Sequence, residues 1–520
     1  MSKLDNPVVL LLTLAVTFGL SVAGIGWAYQ FGFGFNSAIE NKSETKTENT
    51  SAKKHLLVLG DSFSGYSTFR SAAFSEAVKE IGFNLRYENE LDQTKRAERL
   101  NQGEADLLLT SLDQFLKHKP DGKIIGLIGR TVGADAVVLN TKKYPNLKSL
   151  VDLTQLLQEA REKGQPLTIS FAGDTASEYL AWVLSSKFEA FKLSDFQIDI
   201  VADASVAWKK LQDPNQNVAV AVIWEPYVTQ ARQQGYKVVL SSKDEPETIL
   251  NVIVASNRLI QSQPDKIAEL LAAYYRRIDA GIRDASLLQK QIAEDGKLSP
   301  SDATAVLQGI DFFTSVQAKN WLTDETLNKR IDSTAAVLTL AAKITQVPQN
   351  PRELYSAEFI AKAAESTQNL INLVHADNPD LAKKLEGKNA TGLTPNSQPL
   401  EGATDIGNLQ VEGEVRFATD SANLTEEGKQ TLNKVAQKLT GLNQETVAIR
   451  VIGHTSKFGD ADFNQTVSQQ RAETVANYLR DRSVKLKIEA VGKGGQQPLP
   501  NIDPEDKRNQ RTEIRLVRFS

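Results

Sequence analysis

The sequence contains no cysteine. That absence excludes disulfides, thiolate metal sites, a cysteine nucleophile and a lipid-modified cysteine anchor. Histidine is scarce. His55, His118, His375 and His454 are scattered, and none forms a metal-ligand pair at helical or hairpin spacing. Neither a metal nor any other cofactor is expected. Charge of one sign is also lacking. A formal net charge of −4 over 520 residues gives no electrostatic reason to expect nucleic acid. No nucleophile–base pair stands out. His454 has Ser456 nearby and Asp460 and Asp462 after it, but Gly453 ends the strand, so His454 reads as a loop-ordering residue. The glycines from Gly492 to Gly495 lack the Lys and Ser/Thr of a phosphate-cradling loop. The chain reads as a non-enzyme.

Charged residues are missing altogether between Asp5 and Glu40. Within that gap the apolar run from Val8 to Tyr29 spans roughly 33 Å as a helix, enough to cross a bilayer. Trp27 and Tyr29 would settle at the far interface, and Lys3 sets the N-terminus inside. A signal peptide cut after Ala23 is the rival, but the apolar run continues past that point. The expectation is an N-terminal transmembrane anchor over residues 1–35, in the bacterial inner membrane, single-pass, with the bulk in the periplasm. Residues 36–54 are polar and too poor in large apolar side chains to form a core, so they read as a tether.

From His55 short apolar runs alternate with helical patterns. A first round runs from HLLVLGD through FNLRYENE, ADLLLTS and IIGLIGR to DAVVLNT. A second runs from PLTISFAG through FQIDIVAD, VAVAVIWEP and KVVLSS to ILNVIVAS. Strand–helix alternation argues an α/β fold with parallel sheets and covering helices. Two rounds suggest two lobes facing a cleft, with ligand outside the carboxyl ends of the strands. Residues 280–377 are helical, striped by Ala303, Val306, Leu307 and Ile310, and read as an extension packed on the second lobe.

Strand-to-helix turns supply the polar candidates. Asp61, Ser64, Gly65 and Tyr66 follow the first strand, and Thr110 and Ser111 follow the third. Asp135 lies near the end of the first round, and Asp174, Thr175, Trp224, Glu225 and Tyr227 sit at the corresponding ends of the second. Helix N-termini favour anions, but the carboxylates outnumber them and favour an amine or nitrogen heterocycle over an oxyanion or sulfonate. The bland alternatives are turn shaping for Asp174 and Glu225 and core packing for Trp224. GDSFSGY, the run from Arg96 to Asp113, GADAVVLN and AVIWEPY together resemble the nitrate/sulfonate/taurine/thiamine-precursor group of ABC-transporter substrate-binding proteins. The resemblance covers residues 56–280 and implies a two-lobed periplasmic-binding-protein fold and a possible ABC permease as partner.

Residues 378–408 are rich in Gly, Pro, Ser, Thr and Asn and read as a linker. Such a linker would let the last domain, 409–520, sit well away from the lobes. That domain reads as strand VEGEVRF, a helix capped by Thr425, strand TVAIRVIG, a helix striped by Ala472, Val475, Ala476 and Leu479, strand KIEAVG and strand TEIRLVRF. The pattern GHT, then Asn464, then Ser-x-x-Arg-Ala resembles the OmpA-like C-terminal domain, an α+β split βαβ sandwich that clamps the diaminopimelate of peptidoglycan. The resemblance implies Thr455, Ser456, Asn464, Arg471 and Arg511 as peptidoglycan-binding positions. The family carries Asp where Ser456 stands and Arg where Gln510 stands.

The whole is read as a membrane-anchored periplasmic solute-binding protein directed to the cell wall. The alternative is a structural envelope spacer or a stator-like component of the MotB type. Stators need a membrane carboxylate, and none lies between Asp5 and Glu40.

Overall fold

The computed structural model describes residues 54–387, 400–411, 413–418 and 421–519. Among these no helix is long and apolar enough to cross a membrane. The expected anchor, from Val8 to Tyr29, lies outside the described residues. The expectation of a membrane-anchored chain, with a transmembrane helix and a single-pass inner-membrane placement, is thus corrected: no described helix supports it.

The first lobe is built on a six-stranded sheet. Strands β1 (Lys54–Gly60), β2 (Phe83–Asn89) and β3 (Leu107–Ser111) are parallel, with β1 between the other two. The apolar run of the inner strand β3 is buried along its whole length, whereas the edge strand β2, FNLRYEN, is largely polar and half-exposed. Strand β4 (Gly122–Thr131) leaves this sheet for the second lobe. The second sheet holds β5 (Asp135–Leu139), β6 (Thr168–Ala172), β7 (Gln197–Val201), β8 (Val218–Trp224) and β9 (Lys237–Ser241), in the order β7-β6-β8-β5-β9. The chain then returns. Strand β10 (Leu250–Ser256) inserts antiparallel between β3 and β4, and β11 (Ile310–Phe312) adds antiparallel to β4.

Both sheets are thus mixed, not purely parallel. DAVVLNT belongs to the second lobe as β5, and ILNVIVAS to the first as β10. Both strands are buried along their whole length with no alternation, so periodicity cannot say which sheet receives them. The return through β10 also decides where the helical extension packs. Ala303, Val306, Ala318, Leu322, Ile331, Ala335 and Ile360 share one buried cluster with Leu56, Leu107 and Ile253 of the first lobe. The extension therefore packs chiefly on the first lobe, and meets the second at helix Ala176–Lys187, where Lys343 Nζ pairs with Glu178 at 2.6 Å.

The C-terminal domain has a four-stranded sheet in the order β12-β15-β13-β14. These strands are β12 (Thr404–Asn408), β13 (Val447–Gly453), β14 (Ile488–Gly492) and β15 (Thr512–Arg518). Helices Glu426–Leu439 and Ala461–Asp481 cover it, the first capped by Thr425 Oγ1, which accepts the Gly428 N–H. Among the described residues of the expected first strand, VEGEVRF, no strand forms, and their one pairing is an isolated bridge between Phe417 and Leu424. Thr404–Asn408 supplies the edge strand instead. The stretch read as linker also holds helix Pro379–Leu385, whose Ala382 and Leu385 pack on Ile371.

The C-terminal domain does not stand away from the lobes. One buried cluster joins Leu150, Leu153, Phe188 and Phe191 of the second lobe to Ile406, Leu409, Leu432, Val451 and Leu479 of the C-terminal domain. Gly407 lets the two backbones approach: a Cβ there would meet Leu150 Cβ at 2.7 Å. Gln410 N–H donates to Lys187 O at 2.7 Å. The return segment between β9 and β10 is gripped as well. The buried Asp244 receives Arg518 Nη1 at 2.9 Å and Nη2 at 2.7 Å, and Thr446 Oγ1 at 3.1 Å. Asn443 N–H donates to Asp244 O at 3.0 Å.

Candidate functional site

A cavity of ≈ 90 Å³ opens between the two lobes. Its walls come from the carboxyl ends of β1, β3, β4 and β8 and from the turn after β7. Asn251 joins them from the amino end of β10, which lies at the same edge because β10 runs antiparallel.

Asp61, Tyr66, Ser111, Asp135, Thr175 and Trp224 line the cavity, as the sequence suggests. Each sits where a strand ends or begins at the cleft. Tyr66 is buried, packs edge-on against Phe63 with centroids 5.2 Å apart, and donates its hydroxyl to Asn251 Oδ1 at 2.9 Å. Burial, with Asp61 nearby, pushes its phenol well above the ordinary tyrosine range. Asp61 accepts the Phe63 N–H at 2.9 Å and Arg96 Nη2 at 3.2 Å. Arg96 is itself buried and also donates to Leu109 O at 2.7 Å and Glu90 O at 2.6 Å, which fixes the loop.

Asp135 is 3% exposed and accepts from Ser177 Oγ at 3.2 Å. Burial pushes its carboxyl up to about 7; the Ser177 bond opposes this, and the charges of Asp113 and Glu225 add to it. A buried carboxyl poised near neutrality gains from a cation that enters beside it.

The remaining candidates face elsewhere. Ser64 and Gly65 shape the turn after β1, where a Cβ on Gly65 would strike the Phe63 ring at 2.3 Å. Thr110 donates to Gln93 Oε1 at 3.2 Å. Asp174 has φ +52° and is held by Lys117 from the first lobe. It is not the helix N-cap; Thr175 holds that position for helix Ala176–Lys187. Glu225 turns onto helix Tyr227–Gln233, accepting Thr229 N–H and Oγ1 at 2.9 Å each. Tyr227 packs against a separate cluster of the second lobe.

Sequence reasoning missed Phe63, Gln93, Thr131, Asp203 and Asn251, all in the lining. Asp203 had a signal: it follows strand β7 as the other candidates follow theirs. It accepts the Ser205 N–H at 2.8 Å at the start of helix Ala204–Gln212. Asn251 had none, because only the antiparallel insertion of β10 brings it to this edge. Asp61, Asp135 and Asp203 make the lining acidic, and among the described residues it contains no Lys, Arg or His. No group of His, Cys, Asp or Glu among the described residues is placed to hold a metal ion.

In the C-terminal domain the family positions have separate partners. Thr455 and Ser456 are buried after β13, and Thr455 N–H donates to Gly494 O at 2.9 Å. Asn464 Nδ2 donates to Phe458 O at 2.9 Å. Arg471 Nε donates to Ser421 O at 3.1 Å, with its guanidinium 5.1 Å from the Phe417 ring centroid. Arg511 pairs with Glu513 at 2.7 Å. Burial opposes ionisation of Glu513, but His454, Arg511 and Arg515 around it hold the carboxyl down at about 2. Asp460 caps helix Ala461–Asp481 through the Phe463 N–H at 2.8 Å.

Residues 416–512 match the OmpA family. Over 93 residues the chain is 33% identical to "Outer membrane protein A" of Shimwellia blattae, covering 18% of this chain and 39% of that protein. It is 28% identical to "Outer-membrane lipoprotein YfiB" of Pseudomonas aeruginosa over 108 residues, 21% of this chain and 63% of that one. "Peptidoglycan-binding protein ArfA" of Mycobacterium bovis is 34% identical over 143 residues, 26% of this chain and 43% of that one. The chain therefore spans less than two thirds of these relatives. Among solved structures, the periplasmic aliphatic sulphonate binding protein SsuA of Escherichia coli superposes with a TM-score of 0.45 and 14% identity, over 59% of this chain and 99% of that one. The periplasmic nitrate-binding protein NrtA of Synechocystis gives 0.48 and 11%, over 61% and 89%. The chain joins a two-lobed α/β fold to a C-terminal domain that matches the OmpA family.

Proposed function

We propose that this chain captures a compact cationic ligand, an amine or a protonated nitrogen heterocycle, in the cleft between its lobes, and works in the periplasm without chemistry on the ligand. One observation carries the reading: Asp61, Asp135 and Asp203 line a cavity that also presents Phe63, Tyr66 and Trp224. Carboxylates meet an ammonium by charge-assisted bonds, and aromatic faces favour cations. An oxyanion would face three acidic side chains, of which Asp61 is paired with the buried Arg96 guanidinium behind it, and no guanidinium or ammonium lies in the lining itself. The small cavity, ≈ 90 Å³, suits a ligand of few heavy atoms. An ABC permease that receives the ligand would make this a transport component.

In the same reading the C-terminal domain approaches peptidoglycan, as the family match and the printed name of the mycobacterial relative support. A scaffolding role for that domain is the second reading. It is favoured by Arg471, which is bonded within its own domain, and by the core shared with the second lobe.

Calorimetry and thermal shift on the protein test the cleft. Primary amines and nitrogen heterocycles should bind, with about 2.7 kcal/mol of added stability at a hundred times the dissociation constant. Binding of sulfonates or oxyanions in place of amines would overturn the proposal.

A further inference from the structure

On the flank of the first lobe, away from the residues lining the cleft, a groove of ≈ 830 Å³ runs between helix Pro264–Arg283 and helix Ala285–Gly296. Arg70, Arg276, Arg277, Arg283 and Lys290 line it, against the two acids Glu294 and Asp295. Both acids are already engaged. Asp295 takes a two-pronged bond from Arg70, Nε at 2.7 Å and Nη2 at 2.5 Å, and Glu294 lies 3.8 Å from Lys290.

The other three arginines are not balanced in this way. Among the described residues no hydrogen bond or ion pair engages the guanidiniums of Arg276, Arg277 or Arg283; the buried Asp279, whose Oδ2 is bonded by Thr367, acts on Arg283 only through its charge. Arg277 Nε is buried without an acceptor among the described residues. A buried donor left unmade is expensive, so such a group is a place where a missing acceptor belongs. Burial also pulls Arg277 below the ordinary arginine range. Arg276 and Arg283 lie two helical turns apart on one face, about 10 Å along the axis. That separation, with Arg277 beside them, suits several oxyanion groups held in a row better than one ion.

We propose that this groove binds a ligand carrying two or more phosphoryl groups, with Arg276, Arg277 and Arg283 as its principal contacts. Planar guanidiniums meet phosphoryl oxygens through paired, charge-assisted bonds, and the groove is larger than one phosphate needs. The exposed Leu287 on the same wall leaves room for a ligand with an apolar portion, so the phosphoryl groups could belong to a soluble polyphosphate or to a lipid headgroup.

The test is titration of the protein with inorganic tripolyphosphate by calorimetry, beside co-sedimentation with cardiolipin vesicles, whose headgroup carries two phosphoryl groups, and with neutral phosphatidylcholine vesicles. Binding of tripolyphosphate that weakens roughly tenfold or more in the Arg277→Gln/Arg283→Gln variant, with an unchanged unfolding midpoint, supports a soluble source. Binding only to the anionic vesicles, lost in the same variant, supports a headgroup. Arg276→Gln alone, an exposed position, keeps the test readable if the double variant unfolds; it should weaken whichever ligand binds. Absence of binding to both probes overturns the proposal, as does binding that ignores these variants or equal binding of polyglutamate. The cleft ligand plays no part in these outcomes.

Discussion

In the cleft, side chains from strands far apart in sequence turn toward one cavity. In the C-terminal domain, residues matched at family spacing have different neighbours: Arg471 has Ser421 and Phe417, Arg511 has Glu513, and Asn464 has Phe458 O. The first region has weak motifs and strong convergence; the second has strong motifs and little convergence. Spacing within one helix and loop records a fold. Convergence of charge on a cavity is closer to a record of what is bound.

The comparison can be broken at its seam. Asp244 belongs to the return between lobes and Arg518 to the C-terminal sheet, so Asp244→Ala strands the Arg518 guanidinium and opens the shared core. We expect a loss of about 3 kcal/mol in denaturant unfolding, reduced from a fully buried pair because Arg518 is partly exposed. If the lobes and the C-terminal domain were independent, ligand-induced stabilisation of the variant would stay normal and only one of two transitions would shift.

Asp135→Asn sharpens the cleft side. Loss of the buried charge should weaken amine binding by about 1.5–3 kcal/mol in calorimetry. The wild-type affinity should also fall as pH drops below about 7, where the Asp135 carboxyl takes up its proton. Its effect on the fold has the opposite sense. A carboxyl raised from 3.8 to about 7 means the folded state holds the proton more tightly, so stability falls as pH rises from about 4 to about 7. The variant should flatten that part of the curve; an unchanged curve would place the titration elsewhere, for example at Asp279.

The wall side is sharpened by Ser456→Asp. Restoring the family carboxylate should strengthen sedimentation with peptidoglycan by about 1–2 kcal/mol, or five- to thirtyfold. Arg471→Ala should remove whatever binding exists. Binding indifferent to both would leave the domain a scaffold.

The smallest effect is expected from Glu225→Gln. Its carboxylate serves the Thr229 N–H and hydroxyl, so ligand affinity should stay unchanged while stability drops about 0.5–1 kcal/mol. An affinity loss like that of Asp135→Asn would return Glu225 to the site.

Much of the fold was legible because burial leaves a period. The strands from β1 to β9, Thr425 as a cap and the stripe from Ala472 to Leu479 are all local patterns. What escaped was non-local. Nothing in ILNVIVAS says that β10 crosses back and runs antiparallel, yet that step carries Asn251 to the cleft and the helical extension to the first lobe. Thr404–Asn408 looked like linker because TDIGN is poor in large apolar residues; as an edge strand it needs few, and Gly407 is there for Leu150. Glu225 and Asp174 had the right chemistry at strand ends, but the nearest partners, Thr229 and Lys117, were a matter of side-chain direction.

The core shared by the second lobe and the C-terminal domain changes which part of the molecule should be regarded as stationary. A cleft protein is usually pictured with two equivalent jaws closing in free solution. Here one jaw is welded to a domain of the OmpA type. Were that domain held by a fixed polymer, the second lobe would become the reference frame, and opening would be a swing of the first lobe alone. That swing would carry the helical extension, the arginine groove and the segment leading back toward residue 54. Ligand binding would then be read as a displacement of this mass relative to the wall, so the geometry would report position as well as occupancy.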